Sequence, residues 1–67
     1  MSRKEIRSRF WPLLREAVYK GRSWITRGNW SLEVGEATVV LYYGDRVVYW
    51  LPVDTAITIL AGGGDVT

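Results

Sequence analysis

Residues 37–51, ATVVLYYGDRVVYWL, leave this chain few folds to choose from. β-Branched and aromatic residues fill both sides of a single Gly44-Asp45 pair, the composition of two strands folded back at a tight turn. Two further Gly-led pairs, Gly28-Asn29 and Gly35-Glu36, punctuate the chain before it. Gly in the first central position suits a two-residue type II′ turn. Together the three turns predict a four-stranded antiparallel meander with strands at about 22–27, 30–34, 37–43 and 46–51.

Two-residue turns would pair Arg27 with Trp30, Val34 with Ala37 and Tyr43 with Arg46. Side chains alternate along a strand. One face then carries Ile25, Trp30, Leu32, Val34, Ala37, Val39, Leu41, Tyr43, Val48 and Trp50. The other carries Arg22, Trp24, Thr26, Ser31, Glu33, Thr38, Val40, Tyr42, Val47, Tyr49 and Leu51. The first face is almost wholly apolar and calls for a cover. The second is mixed. A one-residue bulge at any turn would exchange the faces beyond it.

The cover lies at the N-terminus. Ser2-Arg3-Lys4-Glu5 fits a capping box. Ile6, Phe10, Leu13, Leu14, Ala17 and Val18 then recur at helical spacing as one stripe. Lys20 followed by Gly21 suits a helix end. The spacing predicts a helix over residues 3–20. Pro12 interrupts it, at a cost of about 3 kcal/mol in a helix interior. Either the helix kinks near Ser8, or it starts near Trp11 and leaves residues 2–9 as a basic arm. Ile6 and Phe10 continue the stripe, which favours one kinked helix. After Pro52, residues 54–61 (DTAITILA) fit a short helix capped by Asp54 or a fifth strand, and the Gly62-Gly63-Gly64 stop favours the helix. The fold class is therefore α+β: an N-terminal helix on a four-stranded meander, then a short C-terminal element. Residues 1–61 make one small domain and residues 62–67 a flexible Gly-rich tail.

The chain of 67 residues contains no Cys and no His. That removes disulfides, thiolate chemistry and the usual zinc sites. Its core must be stabilised by packing or self-association. The absence of Gln and Cys fits the avoidance of thermolabile side chains in proteins from hot environments, although in 67 residues such absences also arise by chance and GC-rich coding would equally enrich Arg over Lys. No apolar run approaches the length of a membrane span. The basic start is followed by an apolar run broken at Pro12 and at Arg15-Glu16, unlike a signal peptide. The expectation is a soluble cytoplasmic protein.

Glu33, Glu36, Asp45 and Asp54 fall at turns and caps rather than converging on a point, so no enzymatic chemistry, metal or cofactor is expected. A net charge of +2 permits an anionic partner without requiring one. Lys4, Arg7, Trp11 and Arg15 lie side by side on the helix, either as a phosphate-binding ridge with one stacking aromatic or, as is ordinary for charge on an outer helix face, as a solvated face with Trp11 covering the edge of the sheet. On the mixed sheet face Arg22, Trp24, Tyr42 and Tyr49 come together, with Arg27 and Lys20 near in sequence. Aromatic rings on an open sheet with basic residues at its margin suit nucleic acid, each stacked base contributing roughly 1–3 kcal/mol. The candidate nucleic-acid residues are thus Arg22, Trp24, Arg27, Tyr42 and Tyr49, with Lys4, Arg7 and Arg15 as a second strip. Glu33 in the middle of the face opposes phosphate there. The rival reading is a protein-interaction module, a homodimer or an inhibitor of a host factor, that uses the same apolar face. In a third, the C-terminal segment folds over Val40, Val47 and Leu51.

Overall fold

A computed structural model describes residues 2–63. In chain order it contains helix α1 (Arg3–Lys20), strands β1 (Trp24–Arg27), β2 (Trp30–Val34), β3 (Thr38–Tyr43) and β4 (Arg46–Pro52), and helix α2 (Val53–Ala61). The strands form one antiparallel sheet in the order β1-β2-β3-β4, the α+β meander expected from the turns.

Local chemistry sets the ends of α1. The Ser2 hydroxyl accepts the Glu5 N–H at 3.1 Å. Gly21 takes a left-handed φ of 64°, which lets the Arg22 N–H reach back to the Ala17 carbonyl at 2.8 Å. That closes the helix with a six-residue loop only Gly adopts without strain. The helix runs continuously through Pro12. Its apolar stripe is held on the sheet: Phe10, Leu13, Leu14 and Ala17 are buried against Ile25, Trp30, Leu32, Val39 and Leu41.

The hairpin turns divide into two kinds. Gly28 and Gly44 have φ of 61° and 65°, while Asn29 and Asp45 stay at negative φ, as in a type II′ turn. Their flanking pairs, Arg27 with Trp30 and Tyr43 with Arg46, are those expected. The middle turn is longer. Val34 pairs with Val39 instead of Ala37, and the Gly35 N–H donates to the Thr38 carbonyl at 2.8 Å. A slip of two positions keeps the parity of side chains, so the faces of β2 and β3 survive the correction.

Strand β4 does not keep its expected faces. Tyr42 pairs with Val47, but Leu41 pairs with Tyr49, so Val48 is an extra residue in the ladder. This bulge exchanges the faces beyond it. Tyr49 and Leu51 therefore lie on the helix side, where the Tyr49 ring meets Phe10 edge-on at 5.0 Å. Trp50 turns to the opposite side and is 56% exposed. The sequence pattern had placed these three residues the other way round.

The C-terminal element is a helix, but Asp54 does not cap it. Pro52 holds the cap position with no side-chain hydrogen bond, and Asp54 lies in the first turn, where its charge meets the positive end of the helix dipole. Gly62 ends it, as expected. Of the flexible tail expected over residues 62–67, Gly62 and Gly63 form the turn that ends the helix, and the rest lies outside the described residues. Ala56 is fully buried in the same cluster as Phe10 and Leu41, with Val53, Ile59 and Leu60 packed beside it. Both helices thus share one sheet face. No helix among the described residues is long and apolar enough to cross a membrane.

Pro12 is exposed and continues no hydrogen-bond ladder. Pro12→Ala should restore the bond to the Ser8 carbonyl and raise stability by about 1–3 kcal/mol, lifting the thermal midpoint by roughly 4–8 °C per kcal/mol. Differential scanning calorimetry checks this. An unchanged or lowered midpoint would mean the proline is needed for the helix path.

Candidate nucleic-acid interface

The expected site residues separate into three places. The first lies along the free edge of β1. There Lys20, Arg22, Trp24, Ile25, Thr26 and Arg27 line a recess of about 370 Å³. Trp24 is 49% exposed, and its indole N–H donates to the Thr26 hydroxyl at 3.1 Å. That bond steadies the ring beside Tyr42, whose centroid is 5.6 Å away. Arg22 precedes β1 and is exposed. Arg27 alternates with Thr26 and so leans toward α1. It forms an ion pair with Glu16, which also binds Lys20 at 2.9 Å. One carboxylate therefore holds two of the recess's three cations in partial register, although each exposed pair contributes only about 0–1 kcal/mol.

The second place is the outer side of α1. Lys4 and Arg15 are exposed, and Arg7 is half-buried against β4. Arg7 lines a second recess with Arg3, Ile6, Val48 and Tyr49. The bulge thus removes Tyr49 from the open face but brings it beside Arg7 and Arg3. Trp11 is not the exposed centre of this ridge. It is only 3% exposed and lies in the core beside Phe10, and its indole N–H has no hydrogen-bond partner among the described residues. Trp11 joins the buried cluster with Phe10, Leu13, Leu14 and Ala17, so the buried arc of α1 is wider than the single stripe the spacing suggested.

The third place is the sheet face away from the helices. The register sets Trp24, Glu33, Val40 and Trp50 in one row and Thr26, Ser31, Tyr42 and Val47 in the next. The Tyr42 phenol donates to the Glu33 carboxylate at 3.1 Å, and the Thr26 and Ser31 hydroxyls are 3.2 Å apart. Glu33 is the sole ionisable carboxylate in these rows, and no Lys or Arg occupies them. Val47 and Trp50 are each 56% exposed. Among the described residues the C-terminal segment does not cover this face, because α2 packs on the other side.

One signal in the sequence had further value. Eight of the nine basic residues fall within the first 27 positions, accompanied only by Glu5 and Glu16. Arg46 is the single base among the remaining residues, against five acids. The fold converts this asymmetry into space, since α1 and the β1 edge carry the basic segment together. Arg9, which the helical ridge left out, stacks its guanidinium over Trp30 at 5.6 Å. No group of three His, Cys, Asp or Glu able to hold a metal occurs among the described residues. Compared with models of known protein families, with curated proteins and with solved structures, the chain shows no significant match.

The hydrogen bond to Glu33 raises the Tyr42 pKa above its ordinary value, with desolvation and the nearby Glu33 charge adding in the same direction. A raised value in the folded state means that the folded chain holds this proton more tightly than the unfolded one. The associated stability is present in full below the unfolded tyrosine pKa of about 10 and is lost as pH rises through the folded value. Thermal midpoints measured from about pH 8 to pH 11 should therefore fall more steeply for the wild type than for Tyr42→Phe. Parallel curves would show that the bond to Glu33 does not distinguish the folded state.

Proposed function

We propose that this is a small non-enzymatic nucleic-acid-binding protein, with its contacts on the β1 edge and the outer side of α1. The observation that carries this reading is the β1 recess, which gathers Lys20, Arg22 and Arg27 around a half-exposed indole. Cations there would supply sequence-independent affinity by releasing counterions from phosphate. Trp24 would accept a stacked base. Lys4, Arg7 and Arg15 would extend the same field along a helix about 27 Å long, enough to follow several phosphates. Tyr42 stands at the margin of this site, tied to Glu33. Tyr49 would contribute only beside Arg7.

A second reading concerns the open sheet face, and the exposure of Val47 and Trp50 favours it. Apolar side chains standing together on an uncovered sheet mark a protein contact surface more than a phosphate track. At about 1 µM chain an environment-sensitive hydrophobic dye should brighten with the wild type and not with Val47→Glu. Equal signals would remove this reading.

The nucleic-acid reading is tested by titrating single- and double-stranded oligonucleotides against tryptophan fluorescence at several salt concentrations. A contact with three or four phosphates of a single strand should give a log–log salt slope of roughly −2 to −3. Arg22→Ala should flatten the slope by about 0.7 and weaken binding several-fold. Glu16→Gln, which releases Lys20 and Arg27 from their shared carboxylate, should strengthen it. Absence of binding at low salt sinks the proposal.

A further inference from the structure

We propose that the open sheet face takes a second copy of this chain, packed face to face as a β-sandwich with the helices outermost. This rests on reading that face as a contact surface, and goes further by naming the occupant.

Charge is the first reason. A two-fold pair brings the same patch of both copies together. A patch carrying one sign of charge would repel itself, whereas a neutral apolar one would not. The rows Trp24–Glu33–Val40–Trp50 and Thr26–Ser31–Tyr42–Val47 hold Glu33 as their only charge, and Tyr42 already donates to it. Glu33 is on β2, two strands from Trp50 on β4. A two-fold axis running across the strands between the two rows would set each Glu33 over the Ser31 and Tyr42 row of the other copy, so the two carboxylates do not meet. The same lack of cations makes the face a poor match for nucleic acid and for acidic peptides.

Area is the second reason. A large aromatic side chain removes about 150–250 Å² on burial. With Trp24, Tyr42 and Trp50 partly out and Val40 and Val47 beside them, each copy offers on the order of 500 Å², so a pair would bury on the order of 1,000 Å². That reaches the lower bound for a specific interface and implies a concentration-dependent dimer. Two such sheets would pack about 10 Å apart with strands within about 30° of one another.

The bulge is the third reason. Without the extra residue Val48, Trp50 would share the side of Leu41 and Val39 in the core. The ladder instead gives up one regular pair and sets the indole outside. A device that turns the largest side chain of β4 away from the chain's own core supplies the anchor an interface centre needs. In this arrangement the basic side of α1 stays free on both outer sides of the pair, while Trp24 at the β1 edge enters the interface.

Sedimentation equilibrium from about 10 µM to about 1 mM tests this. The wild type should shift from monomer toward dimer across that range. Val47→Glu should weaken the pair at least tenfold, Trp50→Ser should do likewise without adding charge, and Arg15→Glu on the outer side of α1 should leave it unchanged. Circular dichroism confirms that each variant is folded. A wild type that stays monomeric at the highest concentration overturns the second copy, while the dye experiment separately decides whether the face is a contact surface at all. A dimer indifferent to both Val47→Glu and Trp50→Ser also overturns it, because the pairing then uses another surface.

Discussion

Phe10 is the residue on which the two halves of this protein close. It is fully buried, meets Trp11 at 4.8 Å and Tyr49 at 5.0 Å, both edge-to-face, and so ties α1 to β4. Paired aromatics of this kind contribute about 0.5–1.5 kcal/mol beyond the area they bury. In a chain with no disulfide, that contact and the aliphatic layer of Leu14, Leu32, Val39 and Leu41 must hold the sheet to its helices. The contact exists only because the bulge at Val48 turns Tyr49 inward.

A consequence follows for the surface. A four-stranded sheet has two faces, and a chain this short has covered one of them with both of its helices. Burial is therefore concentrated on one side, and the other keeps Trp24, Val47 and Trp50 in contact with water. Basic residues segregate independently of this, along α1 and the β1 edge, with Glu16 drawing Lys20 and Arg27 together. The molecule thus has an electropositive surface and a cation-free sheet face whose rows carry Glu33 as their one charge, the two meeting near Trp24. The proposals for nucleic acid and for a second copy address these two surfaces separately except at Trp24, where a stacked base and the second copy would compete for the same ring.

Much of the fold was legible in the sequence because its signals are local. The Ser2 cap, the Gly21 stop, the periodicity through Phe10 and Leu14, and φ > 0 at Gly28 and Gly44 depend only on neighbours along the chain. Trp24 and Tyr42 were correctly set on one side of the sheet, since nothing in β1–β3 altered parity. Tyr49 was not. In β4 both faces are apolar, so a period of two cannot reveal where an extra residue enters. For α1, the stripe facing the sheet was visible, and the burial of Trp11 agrees with the reading in which it covers the sheet rather than the one in which it centres a phosphate ridge.

By itself the sequence determined α1, the four strands and their order, the two type II′ turns and the segregation of charge, because each follows from backbone preference or from position along the chain, while it left residues 54–61 open between helix and strand. Tertiary structure alone decided which side α2 covers, that Val48 is surplus, and hence that Tyr49 is inside and Trp50 outside. The reason is physical: those outcomes depend on which arrangement fills the space between two helices and one sheet, and packing of that kind has no signature in the order of residues.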